Sequence, residues 1–235
     1  MKRWSFFALC LFATLAFCAL GVWQVERRTW KLALIEAVDA RVHAPPVSPP
    51  DPPRWRSVNA ADDAYRHVTV HGRFLPGRDT LVQALTERGP GFWLMSPFQT
   101  DRGFIVLVDR GFVPTGWRAT TTHAGGPTHG GAVQVSGLLR LTEPGGSLLQ
   151  ANQPRSGRWY SRDIDAIART WKLAGVAPYF IDADGTPNPG GWPVGGLTVV
   201  SFPNNHLLYA LTWFALAALS MFGAWRVIRS EVRGR

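Results

Sequence analysis

The 235-residue sequence predicts a membrane protein in which two transmembrane helices flank a mainly antiparallel β domain, barrel- or sandwich-like, with one or two helices. Three observations carry that prediction. Charge-free apolar runs stand near the two ends, at 4–23 and 207–225. Short alternating runs, separated by Gly, Pro and Asn, fill the space between them. Charged residues make up only 17% of the chain, against roughly 25% in ordinary soluble domains.

The first run is long enough, as a helix, to cross a bilayer core of about 30 Å. Lys2 and Arg3 precede it, and Trp4 and Trp23 stand where interfacial anchors belong. A cleaved signal peptide is the alternative. Its apolar core would run only about 7–15 residues and end at a small-x-small site, which is absent here. Phe17 before Cys18 also argues against a lipidated cysteine. The second run is apolar all round except for Thr212 and Ser220, whereas a core helix keeps a polar face.

Arg226, Arg229, Arg233 and Arg235 follow the second run, and Lys172 is the last basic residue before it. The positive-inside rule then places both termini in the cytoplasm and 26–206 outside, which in a bacterium means the periplasm and an inner-membrane protein. The expected division is 1–25 (tail and first span), 26–206 (exported domain) and 207–235 (second span and basic tail). Net charge is +9, but about half of it sits in the two tails. The interior carries no Lys/Arg stripe interleaved with aromatics, so nucleic acid is excluded as a partner. Both cysteines, Cys10 and Cys18, fall in the first span, leaving the exported domain without a thiol pair for copper or thiol exchange.

Past the first span, 26–41 lacks Gly and Pro and repeats Trp30, Leu34 and Val38 at helical spacing, so the helix is expected to continue. It should stop before 45–53, where six of nine residues are Pro, a composition that predicts an extended, semi-rigid spacer. Strands are predicted at 66–74, 80–85, 92–98, 104–109, 133–141, 178–183 and 197–202. The continuously apolar 104–109 has the character of a buried strand. One helix is predicted at 162–173, with Ile164, Ile167, Ala168 and Trp171 on one side, and the Gly/Thr-rich 115–131 reads as a loop.

No nucleophile elbow, phosphate-binding loop, HExxH or CxxC is present, so a membrane-anchored hydrolase is disfavoured and no enzyme is expected. Asp182 and Asp184 could form a carboxylate pair, but at a strand end before Gly185 they read as turn formers. His67 and His71 share a strand face but stand about 13 Å apart, too far for one metal. His123 and His129 fall in the loop, and His43 borders the Pro segment. His206 differs. It stands immediately before the second span, with Tyr209 and Trp213 at i+3 and i+7 along one helix face. Such a pattern suits either an aromatic interfacial anchor or an axial site for an apolar macrocycle such as haem, and the residues alone leave both open.

An ordered series of motifs adds a family. Gly21-Val22-Trp23-Gln24 is followed by Arg27, Arg28 and Lys31, then by Tyr65, Val68, Gly72 and Phe74, and by Val108-Asp109-Arg110-Gly111-Phe112-Val113-Pro114. Gly137, Arg140 and Glu143, Asn152 and Pro154 with Trp159 and Asp163, and Gly195-Gly196 come next, before Asn204-Asn205-His206-Leu207 with Tyr209, Thr212 and Trp213. The set resembles the Surfeit locus protein one family of cytochrome c oxidase assembly factors, bacterial type, across about 21–214. The resemblance implies haem a binding and assistance in its insertion into oxidase subunit I, with His206 as the axial ligand and no metal beyond haem iron. Tyr209 and Trp213 would stack on the porphyrin. The implied partners are subunit I and the haem a synthesis enzymes, with self-association left open. The competing expectation is a scaffold that protects nascent subunit I without holding haem. Asp109 stands where the family usually carries Asn, and Ser96 where Thr is common; Asp109 and Arg110 are expected to pair with each other or to shape a turn.

Overall fold

The computed structural model describes residues 2–117, 131–147, 149–188, 190–198 and 202–233. It divides into a helical unit, 1–37 with 200–235, and a β unit, 38–199.

In the helical unit, α1 runs without a break over Lys2–His43, its last turns extending into the β unit, and α3 runs over His206–Arg233. Both helices are long and apolar enough to cross a membrane. The expected continuation of the first helix past Glu26 is present, because nothing between Glu26 and Arg41 breaks it. The two helices pack antiparallel through a seam of small residues. Ala210, Ala217 and Ala224, at heptad spacing on α3, are buried. A Cβ at Gly21 would sit 2.6 Å from the Phe214 ring, so only glycine admits that approach. Phe17 stacks on Trp213 at 5.7 Å. Away from the seam the large apolar side chains, Phe12 and Leu208 among them, are exposed, as a lipid-facing surface requires.

The β unit contains β1 (His67–Phe74), β2 (Thr80–Thr86), β3 (Gly89–Thr100), β4 (Ile105–Pro114), β5 (Val133–Leu141), α2 (Ile164–Thr170) and β6 (Val176–Ala183). The hydrogen-bonded order is β1-β5-β6-β4-β3-β2, and β1 also pairs with the C-terminal end of β3, Gly72 opposite Thr100 and Phe74 opposite Phe98. That last pairing closes a five-stranded barrel, with β2 attached to the first half of β3 as a hairpin. Pairing is antiparallel except between β4 and β6. Strand alternation separates two cores. Val68, Phe98, Val106, Val108, Leu139, Tyr179 and Ile181 fill the barrel. Leu107 and Phe180 point the other way and pack with Val82, Met95, Ile164 and Ile167 beneath α2. A strand with a core on each side has no use for polar positions, which explains the unbroken apolar start of β4.

Three expectations need correction. The Pro-rich 45–53 is not a free spacer but a strap on the barrel. Val47 donates its N–H to His67 O and accepts from Thr69 N–H, both at 3.0 Å, on the part of β1 that β3 leaves uncovered. Pro50 O accepts from the Tyr179 hydroxyl inside the barrel and from Trp55 Nε1, and Arg102 donates to Pro49 O. Proline lacks an N–H, so this run can cover an edge without offering a new one. The helix predicted at 162–173 is shorter. Asp163 caps its N-terminus by accepting from Ala166 N–H, and the left-handed Lys172 (φ 51°) ends it. The strand predicted at 197–202 lies partly outside the described residues, and Leu197, Thr198 and Phe202 are not in a strand. Val194 takes that place, exchanging backbone hydrogen bonds with Phe112 at 2.9 Å. Gly111 (φ 118°) permits the approach, since a Cβ there would lie 2.2 Å from Val194 O.

The Tyr179–Pro50 bond joins the strap to the core, so Tyr179→Phe should lower Tm of the detergent-solubilised protein by about 2–4 °C, the size of one buried hydrogen bond worth about 1 kcal/mol. Near-UV circular dichroism would follow the transition; an unchanged midpoint would mean that this bond adds nothing to the barrel.

Candidate functional site

Within the helical unit, His206 opens α3 and is half-buried. Its Nδ1–H donates to Oε1 of Gln24, on α1, at 2.7 Å. An amide oxygen can only accept, so this bond fixes the imidazole proton on Nδ1 and leaves the Nε2 lone pair available to a metal. Haem- and metal-ligating histidines are held in this way, with the second ring nitrogen donating to a fixed oxygen. Tyr209 follows one turn on and is 56% exposed. Trp213, two turns on, faces α1 and stacks on Phe17. The three residues picked out in the sequence thus occur on neighbouring stripes of one helix, with Tyr209 alone turned outward. Gln24 carries the positioning role that sequence spacing could not show, because 182 residues separate it from His206.

The remaining histidines do not converge. His67 contacts Ala44 O, His71 contacts Gln134, and His43 contacts Asp39 on its own helix. His123 and His129 lie outside the described residues. Among the described residues, no group of three or more His, Cys, Asp or Glu side chains could hold a metal ion.

The β unit holds a second constellation, a buried charge cluster on the α2 side of the barrel. Asp109 of β4 and Asp182 of β6 are register partners in the parallel pair, so two carboxylates stand side by side. Arg162, next to the cap of α2, lies over them. Its Nη1 is 3.1 Å from Asp109 Oδ2 and 3.7 Å from Asp182 Oδ2. Nε and Nη2 grip Glu143 in bidentate fashion at 3.1 and 2.7 Å. Arg140 approaches Asp182 at 3.6 Å, Gly111 N–H donates to Asp109, and Thr198 donates to Asp182. Phe180 lies under the Arg162 guanidinium, 4.9 Å from centroid to charge. Two arginines face three carboxylates. Full burial, with Asp182 beside it, pushes the Asp109 pKa up to about 7 despite the opposing pull of Arg162. Burial also raises Asp182, against the Thr198 hydrogen bond and the two arginines. Arg162 is held above its ordinary range because the Glu143 and Asp109 interactions outweigh its own burial.

Two sequence expectations fail here. Neighbouring residues on a strand point to opposite faces, so Asp109 and Arg110 cannot pair. Asp109 faces Arg162, while Arg110 faces the barrel interior and lies over Phe74 at 4.6 Å. Neither sits in a turn. Asp182 is likewise a buried strand residue; only Asp184 shapes a turn, accepting from Thr186 N–H at 3.0 Å.

A cavity of about 660 Å³ borders the cluster, with Trp93, Arg140, Arg162, Leu197 and Thr198 in its wall. Arg140 and Arg162, in that wall, are committed to carboxylates. The arrangement acts as an electrostatic clamp between strands.

The SURF1 family model matches residues 11–218, a stretch that contains both constellations. The chain belongs to the SURF1 family. Surfeit locus protein 1 of Rattus norvegicus is 36% identical over 220 residues, covering 86% of this chain and 69% of that protein. The Homo sapiens protein of the same name is 35% identical over 221 residues, covering 86% and 71%. A SURF1-like protein of Monosiga brevicollis is 30% identical over 226 residues, covering 90% and 83%. This member of the SURF1 family carries an acid at 109, where the resemblance leads one to expect Asn, and the clamp shows what that acid costs.

Because the folded pKa of Asp109 lies above its ordinary 3.8, its contribution to stability is complete below about pH 4 and is lost as pH rises through 7. Asp182, raised in the same direction, adds to that loss. Asp109→Asn should therefore unfold at a higher temperature than wild type at pH 8, with the gap shrinking toward pH 5. Parallel thermal melts across that range would check it; a gap independent of pH would show that Asp109 is ionised throughout.

Proposed function

We propose that this protein is a membrane-anchored assembly factor for haem–copper cytochrome c oxidase that holds haem a through His206 and assists its insertion into subunit I. The observation that carries the reading is the 2.7 Å hydrogen bond from His206 to Gln24, which orders the imidazole with Nε2 free, in a chain of the SURF1 family. Bound haem would supply an iron with an axial position for that nitrogen. Gln24 sets the tautomer and orientation. Tyr209 offers an exposed ring to an apolar macrocycle, and Trp213 holds the helix pair through Phe17. Arg27, Arg28 and Lys31 follow Gln24 at i+3, i+4 and i+7 on α1, so cations for the propionates lie on the same helix face. A single imidazole ligates weakly enough for the haem to be passed on.

In this reading both helices span a bacterial inner membrane with the termini in the cytoplasm and the barrel in the periplasm, as the arginines after α3 favour. The protein acts without catalysis and works with the haem a synthesis enzymes on one side and subunit I on the other.

The test is the haem content of the protein purified after co-expression with the haem a synthesis enzymes, by pyridine haemochrome, for wild type, His206→Ala and Gln24→Leu. The reading expects haem in wild type, its loss in His206→Ala, and a drop in affinity of about 10–100-fold in Gln24→Leu, the usual penalty for removing a ligand's hydrogen-bond partner. Unchanged haem in His206→Ala would move the ligand elsewhere. Absence of haem from all three, while haem a is being made, would favour the scaffold that protects subunit I without it.

A further inference from the structure

The barrel interior has unlike ends. At the starts of β1, β4 and β6 it is sealed: Trp55 packs edge-on against Phe104 at 5.8 Å, and Tyr179 reaches the Pro strap. At the far end, where β6 stops at Ala183 while β4 and β5 continue past it, a cavity of about 310 Å³ opens. Phe74, Val108, Val133, Val135 and Ala183 form apolar wall, Gln134, Ser136 and Asp184 contribute polar lining, and Arg110 is the one cation in it.

Arg110 is oddly placed for a structural residue. Val106, Val108 and Arg110 form the inward row of β4, so the guanidinium continues an otherwise apolar series. It is half-buried, and burial pulls its pKa below the ordinary value. The guanidinium lies over the face of Phe74. No carboxylate among the described residues pairs with it. Asp79 is close enough to be felt but receives the Ser96 hydroxyl at 2.5 Å, and Asp184, on the cavity rim, is turned to Thr186. Elsewhere in this domain buried arginines are matched by acids, as in the Arg162 cluster. A partly desolvated charge without a direct ion pair is costly, and the mouth of a β-barrel is a recurrent ligand site.

We infer that this cavity is a binding site for a small apolar molecule bearing a carboxylate, with the carboxylate on the Arg110 guanidinium and the apolar body against Phe74, Val108, Val133 and Val135. Guanidinium and carboxylate match in geometry, and the cation is already stacked and partly desolvated, so less ordering is lost on binding. The site lies within the β unit and does not depend on the haem reading.

The test uses the full-length protein in non-ionic detergent and radiolabelled decanoate in equilibrium dialysis, with protein-free micelles subtracted. One saturable site per chain is expected, weakened at least about tenfold by Arg110→Gln and not competed by decanol, which has the chain without the charge. Ala183→Leu fills the cavity while keeping Arg110 and should also abolish binding; it decides the matter if Arg110→Gln does not fold, as judged by its thermal transition. Displacement by metal-free protoporphyrin IX, but not by its dimethyl ester, would identify a macrocycle propionate as the natural carboxylate; failure of both to displace would point to an aliphatic acid. Equal decanoate binding by wild type and a folded Arg110→Gln or Ala183→Leu, or equal competition by decanol, would overturn the site.

Discussion

Arg162 is the contact on which the β unit turns. It stands beside the cap of α2, yet its guanidinium reaches Asp109 on β4, Asp182 on β6 and Glu143 beyond the end of β5. The β4–β6 pairing brings two carboxylates into register, which is unfavourable unless a cation lies between them. Arg162 supplies that cation and at the same time fixes where α2 begins, and so where Ile164 and Ile167 meet Leu107 and Phe180. Charge balance and core packing are therefore one constraint here, and disturbing the first disturbs the second. A buried network of this kind is weak as a source of stability but severe when left incomplete.

The two faces of β4 show how one strand divides the domain's labour. Outward, Leu107 and Asp109 meet the α2 core and the clamp; inward, Val106 and Val108 fill the barrel and Arg110 ends the row. The same alternation puts an acid satisfied by arginine on one side and an arginine without an acid on the other, one residue apart. The helical unit solves a different problem. In an apolar surrounding its helices gain nothing from hiding apolar surface, so they associate by close packing of Gly21 and the Ala210, Ala217 and Ala224 series, and by the polar His206–Gln24 bond.

Much of this was legible from local pattern. A charge-free run of helix length needs no tertiary information, and both apolar helices are where composition puts them. Five of the six strands coincide closely with runs of alternating or continuous apolar residues, and β5 matches its prediction end to end at Val133–Leu141. What escaped involves partners far apart in the chain. The β1–β3 closure, the strap on β1 and the Arg162–Asp109 pair, 53 residues apart, leave no periodic trace. His206 was visible from its position and neighbours, whereas Gln24 was visible only as a letter in a motif. The Asp109–Arg110 expectation failed because adjacency in sequence is separation across a strand.

The account's central physical claim is that the β unit depends on neutralising its buried carboxylates, and charge removal tests it most directly. Arg162→Gln alone leaves Asp109 and Asp182 facing each other and should abolish a cooperative thermal transition at pH 8. Adding Asp109→Asn and Asp182→Asn to the same chain removes the stranded charges and should restore it. A triple variant as unstable as the single one would contradict the claim, and would mean that Arg162 acts through its packing on Phe180 and Trp93 and not through its charge.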